Sequence, residues 1–209
     1  MTADIIGPTA GQMQTAYIVP PPPPARPGHC LGLPDTNDDI IAAIHGPHVP
    51  GAPAPWAVSF PGHPKDVPGA CWTGAQWNGT TIRDESLNHY MTLGVYRPDS
   101  TGRSAANCVG VTGFMLDDLD TKAPPPEELE KQIDLSMLIE TSPDNYQGVL
   151  LLDQPLTDLG LADRIQRAMI AKGLCDKGAH SPATRLIRLP YATNGKNGLP
   201  RSVNVERPL

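Results

Sequence analysis

The stretch that most constrains this chain runs from Cys108 to Lys122. An apolar run beginning near Cys108 reads as a buried strand, and it delivers Asp117, Asp118 and Asp120 within four positions, followed by Lys122. Side chains alternate between faces along a strand, so Asp118 and Asp120 are expected on one face and Asp117 on the other. Two carboxylates at the end of a strand suit a hard divalent cation. The same residues also suit an acidic turn that feeds the proline-rich segment after them.

The surrounding composition narrows the architecture. Twenty-five prolines and twenty glycines in 209 residues disfavour a helical bundle and favour strands joined by long loops. The length suits one domain with a sizeable core. No apolar run is long enough to span a bilayer, and the N-terminus lacks a basic region followed by an apolar one. A soluble, cytoplasmic protein without membrane partners is therefore expected. Cys30, Cys71, Cys108 and Cys175 are far apart with no C-x-x-C pair, which argues against a structural zinc site and for reduced, buried thiols.

Charge is unevenly placed. The formal net charge is −6, yet from Gly160 onward nine Lys/Arg face three Asp/Glu, about +6, leaving about −12 on the preceding residues. A basic C-terminal segment facing an acidic centre suits a phosphate-bearing substrate, while a solvated basic face is the plainer alternative.

Local signals divide the rest. The uninterrupted run Pro20–Pro24, with Pro27 and Pro34 after it, reads as a polyproline or flexible arm. Asp38–Ile44 has helical character, with Ile40, Ile41 and Ile44 on one face and Gly46-Pro47 as its stop. His45 and His48 are three apart, but Pro47 breaks the helix between them and argues against a ligand pair. Trp56, Phe60, Trp72 and Trp77 read as core aromatics. Leu87–Tyr96 is strand-like, and the turn Asp99–Gly102 makes it an antiparallel neighbour of the aspartate strand. Pro124–Pro126 followed by Glu127 and Glu128 is a helix start. Met137–Thr141 and Tyr146–Leu152, joined through Ser142-Pro143-Asp144-Asn145, form a hairpin. Thr157 is the expected cap of a helix to about Lys172, with Leu161, Ile165, Ala168 and Met169 as its stripe and Gly173 as its end. Thr184–Pro190 is a short basic strand, and Tyr191–Lys196 closes as a loop. Strands and helices mixed in this way predict an α/β or α+β domain.

Four of these stretches, in this order, carry a likeness: Asn88-His89-Tyr90, Leu116–Lys122, Thr141–Gln147, and Arg188-Leu189-Pro190 with Asn194-Gly195-Lys196. Over residues 85 to 200 the chain resembles the primase-polymerase domains of the archaeo-eukaryotic primase superfamily, especially those of phage and mobile-element replication proteins. The resemblance implies an α+β fold whose RRM-like antiparallel or mixed sheet is flanked by helices. Residues 1–36 would be a Pro-rich flexible arm, 37–84 an N-terminal extension packed on the core, and 85–209 the catalytic core.

It also implies roles. Asp118 and Asp120 match the family's D-x-D motif, whose carboxylates hold the catalytic metals, Mg²⁺ or Mn²⁺ in a two-metal site, with Asp117 behind them. Asp176 is the candidate third acid. Ser142 matches the second motif, and Gln147 stands where many members carry His; an amide donates a hydrogen bond to a phosphate but carries no charge. Asn145, Arg188, Asn194, Lys196 and Lys122 are the remaining candidates for contacts to nucleotide or phosphate, and Tyr191 stands where relatives often have Gly.

The activity implied is a metal-dependent nucleotidyltransferase that makes primers from NTPs or dNTPs on single-stranded DNA in the cytoplasm of a bacterial host. A non-catalytic module that binds single-stranded or origin DNA, and a metal-dependent phosphodiesterase, are the alternatives. Such domains are often fused to a helicase. No G-x-x-x-x-G-K-S/T sequence occurs here, and the stop at Arg207-Pro208-Leu209, soon after the last motif, fits a domain taken from a longer protein with a helicase beyond its C-terminus.

Overall fold

The computed structural model describes residues 34–80, 84–196 and 199–200. The run Pro20–Pro24, Pro27 and most of the arm expected over residues 1–36 lie outside the described residues, as does Cys30. Helix α1 (Asn37–His45) forms where the sequence predicts it. The Thr36 hydroxyl accepts from the Asp39 amide at 3.1 Å, Asp38 and Asp39 sit in the first turn beside its positive end, and Gly46 at φ 84° stops it. Ile40 and Ile41 are buried in the core.

The central sheet is antiparallel at every ladder. Its strands are β1 (Ala54–Phe60), β2 (Ala75–Gln76), β3 (Asn88–Tyr96) and β4 (Cys108–Leu119), and, after the single-turn helix α2 (Pro126–Leu129), β5 (Met137–Ser142) and β6 (Asn145–Leu156). They lie in the order β2-β1-β3-β4-β6-β5. The expected α+β class with a mainly antiparallel sheet is what is observed. The described residues of 37–84 supply α1 and two strands hydrogen-bonded into the same sheet.

Beyond β6 come α3 (Leu159–Ala171), β7 (Leu186–Arg188), and a small separate ribbon of β8 (Thr193–Asn194) with β9 (Leu199–Pro200). Asp158, not Thr157, caps α3: its carboxylate accepts from the Leu161 amide at 2.8 Å. The inward stripe is also turned by one residue from the expected one. Ala162, Gln166 and Met169 are buried, whereas Leu161 and Ala168 are exposed. The buried amide of Gln166 decides this, since its Nε2 donates to the Met115 carbonyl at 3.2 Å and ties α3 to β4.

One topological detail positions everything that follows. β1 covers one edge of β3 from Asn88 to Tyr96. The other edge is shared: Gly94–Tyr96 pair with β4, and Tyr90–Thr92 pair with β7. β3 and β4 therefore part company halfway, and β7 fills the fork. The acidic end of β4 opens into that fork.

His45 ends α1 against a small apolar cavity that also takes in Ile44, Val49, Trp77 and Leu152. Its Nε2 is 3.1 Å from the Thr92 carbonyl and so carries the proton. Burial pulls its pKa down to about 3, with the Thr92 carbonyl opposing more weakly. A histidine held neutral in the folded state adds no penalty above its ordinary pKa. As pH falls from about 6.5 towards 3 the unfolded chain takes up the proton and the folded chain does not, so stability drops by roughly 1.4 kcal/mol per pH unit. His45→Gln is expected to flatten the acid limb of a plot of urea midpoint against pH. Parallel limbs for the two proteins would refute the assignment.

Candidate active site in the fork of the sheet

A polar cavity of about 620 Å³ opens in the fork, with walls drawn from β3, β4, β5, β6, β7 and the loops around residues 72, 103, 178–185 and 196. Asp117 and Asp118 line it, facing Arg103, Arg185, Arg188 and Lys196.

The end of β4 does not alternate. The register with β6 slips between Leu116 and Leu119, and Asp118 and Asp120 take left-handed backbone angles, φ 53° and 67°. Aspartate tolerates this region better than most residues. Three amides, those of Thr121, Lys122 and Ala123, then fold back on the Asp118 carbonyl. The bulge brings the adjacent Asp117 and Asp118 to the cavity together. Asp120, expected to share a face with Asp118, is exposed and is not among the lining residues.

Each cavity aspartate is held. Asp117 Oδ2 accepts from Arg185 at 2.7 Å, and its Oδ1 accepts from Gln147 Nε2 at 2.8 Å and from the Asp118 amide at 3.1 Å. Asp118 accepts from Asn145 Nδ2 at 3.1 Å and from the Lys122 ammonium. Burial pushes the Asp118 carboxyl upward, but the hydrogen bonds from Lys122 and Asn145 and the charges of Lys122 and Lys196 outweigh it and hold it below the usual carboxylate range. Asp176 stands nearby. Its amide donates to the Asp117 carbonyl at 3.1 Å, and its carboxylate is 3.9 Å from the same Lys122 ammonium.

The donor set suits a hard cation in kind. Asp117 Oδ2, both oxygens of Asp118 and Asp176 Oδ1 are carboxylate oxygens with lone pairs to spare, and Lys122 already seats a positive charge between Asp118 and Asp176. Among the described residues no three His, Cys, Asp or Glu side chains converge as a ready cage. Lys122 would have to turn aside for Asp118 and Asp176 to share an ion.

Gln147 is 7% exposed and spends its amide on structure. It donates to Asp117, and its Oε1 accepts from the Arg188 amide at 3.0 Å, clasping β7 to β4 across the fork. Arg188 is the opposite case. It is 6% exposed, its guanidinium lies 4.8 Å over the Tyr90 ring, and among the described residues its side chain makes one hydrogen bond, a 3.4 Å contact to Asn88. Burial lowers its pKa, with Tyr90 and Asp117 opposing. Among the described residues this leaves a buried cation, with five donors and one long bond, lining the cavity.

Other candidates fall into place around these. Asn145 joins Asp118 to Thr121, whose hydroxyl donates to it at 3.0 Å. Asn194 is buried and does not line the cavity. It donates to the Thr141 carbonyl at 2.6 Å and accepts from the Lys196 amide at 3.1 Å, so it carries the loop that presents Lys196. Ser142 is not among the lining residues either. Tyr191 is tied to α1 by exchange of hydrogen bonds with Asn37 at 2.6 and 3.0 Å. Arg103, Arg185 and His180 reach the cavity without having been singled out as site residues, and so does Trp72, which the sequence marked only as a core aromatic. They come from three separate segments, and no local spacing relates them to the aspartates.

No protein-family model and no curated protein sequence matches the chain. Solved structures do. The N-terminal archaeo-eukaryotic primase domain of the primase-polymerase of cyanophage S-2L superposes with a TM-score of 0.56 at 18% identity, over 73% of this chain and 81% of that one. The catalytic domain of primase RepB′, solved in complex with initiator DNA, gives 0.50 at 15% identity, over 81% and 85%. The chain has the primase-polymerase fold of the archaeo-eukaryotic primases.

Proposed function

We propose that the chain is a primase-like nucleotidyltransferase that uses a divalent metal, Mg²⁺ or Mn²⁺, to build primers from nucleoside triphosphates on single-stranded DNA. The observation that carries the reading is Arg188: a buried cation with one long side-chain hydrogen bond among the described residues, lining one cavity with two paired carboxylates. A triphosphate accompanied by a divalent cation satisfies both walls at once. The fold shared with two primase catalytic domains supports it.

In this reading Asp117 and Asp118 hold the ion, with Asp176 joining once Lys122 turns away. Bound there, the ion would lower the pKa of an attacking 3′-hydroxyl and offset charge on the phosphates. Arg188 and Lys196 bind phosphate oxygens, and Lys122, released from Asp118, faces the same charge. Phosphoryl transfer depends on positioning and charge neutralisation, which this cavity of fixed cations supplies. Gln147 and Asn145 keep the two carboxylates aimed. Asp120 has no part.

The test offers purified protein primed and unprimed single-stranded templates, labelled nucleotides, and Mg²⁺ or Mn²⁺. Extension without a primer is the expected result. Breakdown of the DNA would replace the proposal with a phosphodiesterase, and binding without synthesis with a DNA-binding module. Lys196→Ala is expected to weaken binding of a nucleoside triphosphate and to reduce the dependence of that affinity on salt. An unchanged salt dependence would remove Lys196 from the contacts.

A further inference from the structure

The cavity is not lined by ionic groups alone: Trp72 and Tyr90 are also among its walls. Tyr90 is already engaged: it stacks on Phe60 with ring centroids 5.6 Å apart and lies under the Arg188 guanidinium. It is 5% exposed. Trp72 is different. Its indole meets Phe60 at 4.5 Å and Tyr90 at 5.2 Å, both inclined, and the residue is only half-buried where it borders the cavity.

The backbone beneath it is built to hold it there. Trp72 ends a 3-10 turn over Gly69–Trp72. The buried Trp56 indole donates to the Thr73 carbonyl at 2.5 Å. Gly74, at φ 61°, lies so close to β1 that a Cβ would stand 2.1 Å from the Ala57 carbonyl oxygen. The carbonyl clamp and the close glycine contact hold the backbone beside Trp72 against β1, and Phe60 and Tyr90 pack its indole, which lowers the ordering cost when a flat ligand stacks on it.

We infer that Trp72 is the seat of the nucleobase of the bound nucleoside triphosphate, whose phosphates lie towards Arg188 and Lys196. The inference rests on the nucleotide reading above and adds what that reading lacks, a surface for the uncharged part of the substrate. A cavity of about 620 Å³ falls within the volume range of small-molecule sites. An aromatic face accepts any base, so this seat binds without choosing among the four, and choice is left to the template.

The test compares a nucleoside triphosphate, inorganic tripolyphosphate and a short single-stranded oligonucleotide, each titrated with Mg²⁺ present. In the unaltered protein the nucleotide should bind more tightly than tripolyphosphate. It alone should change the tryptophan emission, because Trp56 and Trp77 are 4% and 3% exposed and out of reach. Trp72→Ala should raise the Kd for the nucleotide by about five- to 150-fold, the range that stacking one base on an aromatic ring supplies, and leave that for tripolyphosphate unchanged. Trp72→Phe should keep most of the nucleotide affinity.

Equal affinities for nucleotide and tripolyphosphate in the unaltered protein overturn the seat while sparing the phosphate site. So does a Trp72→Ala loss confined to the oligonucleotide, which would assign the indole to a DNA base. Binding of neither nucleotide nor tripolyphosphate overturns the nucleotide reading itself. The unaltered-protein titrations and the Trp72→Phe comparison decide the matter even where Trp72→Ala fails to fold.

Discussion

Asp118→Asn is expected to cut primer synthesis by about a thousandfold, the scale on which losing one charge-stabilising group at a phosphoryl-transfer site is felt. Asp117→Asn should do the same, and Asp120→Asn should leave the rate within about threefold, under 1 kcal/mol of barrier. The amide keeps the size of the carboxylate, so all three proteins should melt close to the unaltered chain. The contrast is the informative part. Strand alternation alone would pair Asp118 with Asp120 and spare Asp117. The bulge and the left-handed backbone at Asp118 instead bring Asp117 and Asp118 to the cavity and leave Asp120 in solvent. An inactive Asp120→Asn protein beside an active Asp117→Asn protein would show that the bulge does not set the metal ligands.

A large loss of stability is expected at Gly94. This glycine sits in mid-β3, and a Cβ there would stand 2.1 Å from the Ala183 carbonyl oxygen and 3.0 Å from its carbon. The Tyr96 hydroxyl donates to the same carbonyl, so backbone around Ala183 is pressed onto β3 from two directions. The turn that holds it, with Ser181 at φ 59° accepting from the Thr184 and Arg185 amides at 3.0 Å, leads directly into β7. Gly94→Ala must lift that segment. It should cost about 3 kcal/mol, at the upper end of overpacking penalties, and lower Tm by roughly 6–12 °C for a chain of this size. Synthesis should fall further than stability, because Arg185 leaves Asp117 when its segment lifts. A melting curve that matches the unaltered protein would rule out the close approach.

These two expectations separate what is written locally from what is not. The hairpin of β5 and β6, the antiparallel pair β3 and β4, the caps of α1 and the end of α3 at Gly173 all follow from residues within a few positions of one another. Proline, glycine, asparagine and aspartate act on the backbone where they stand. The acidic end of β4 and the basic loop at Lys196 were legible as chemistry for the same reason. The face of α3 was not, because a buried glutamine reaching β4 outweighed its apolar stripe.

What the sequence determined by itself, then, is a mixed α/β or α+β chain with local antiparallel pairs, acids at the end of one strand and cations near its C-terminus. Which acids meet which cations was decided only by the tertiary structure. Strand period places side chains correctly until a bulge intervenes, and the bulge in β4 is stabilised by contacts from Asn145, Gln147 and Arg185, 27 to 68 positions away. The fork between β3 and β4, filled by β7, brings Tyr90, Arg188 and Asp117 to one cavity, and no local rule relates those three positions.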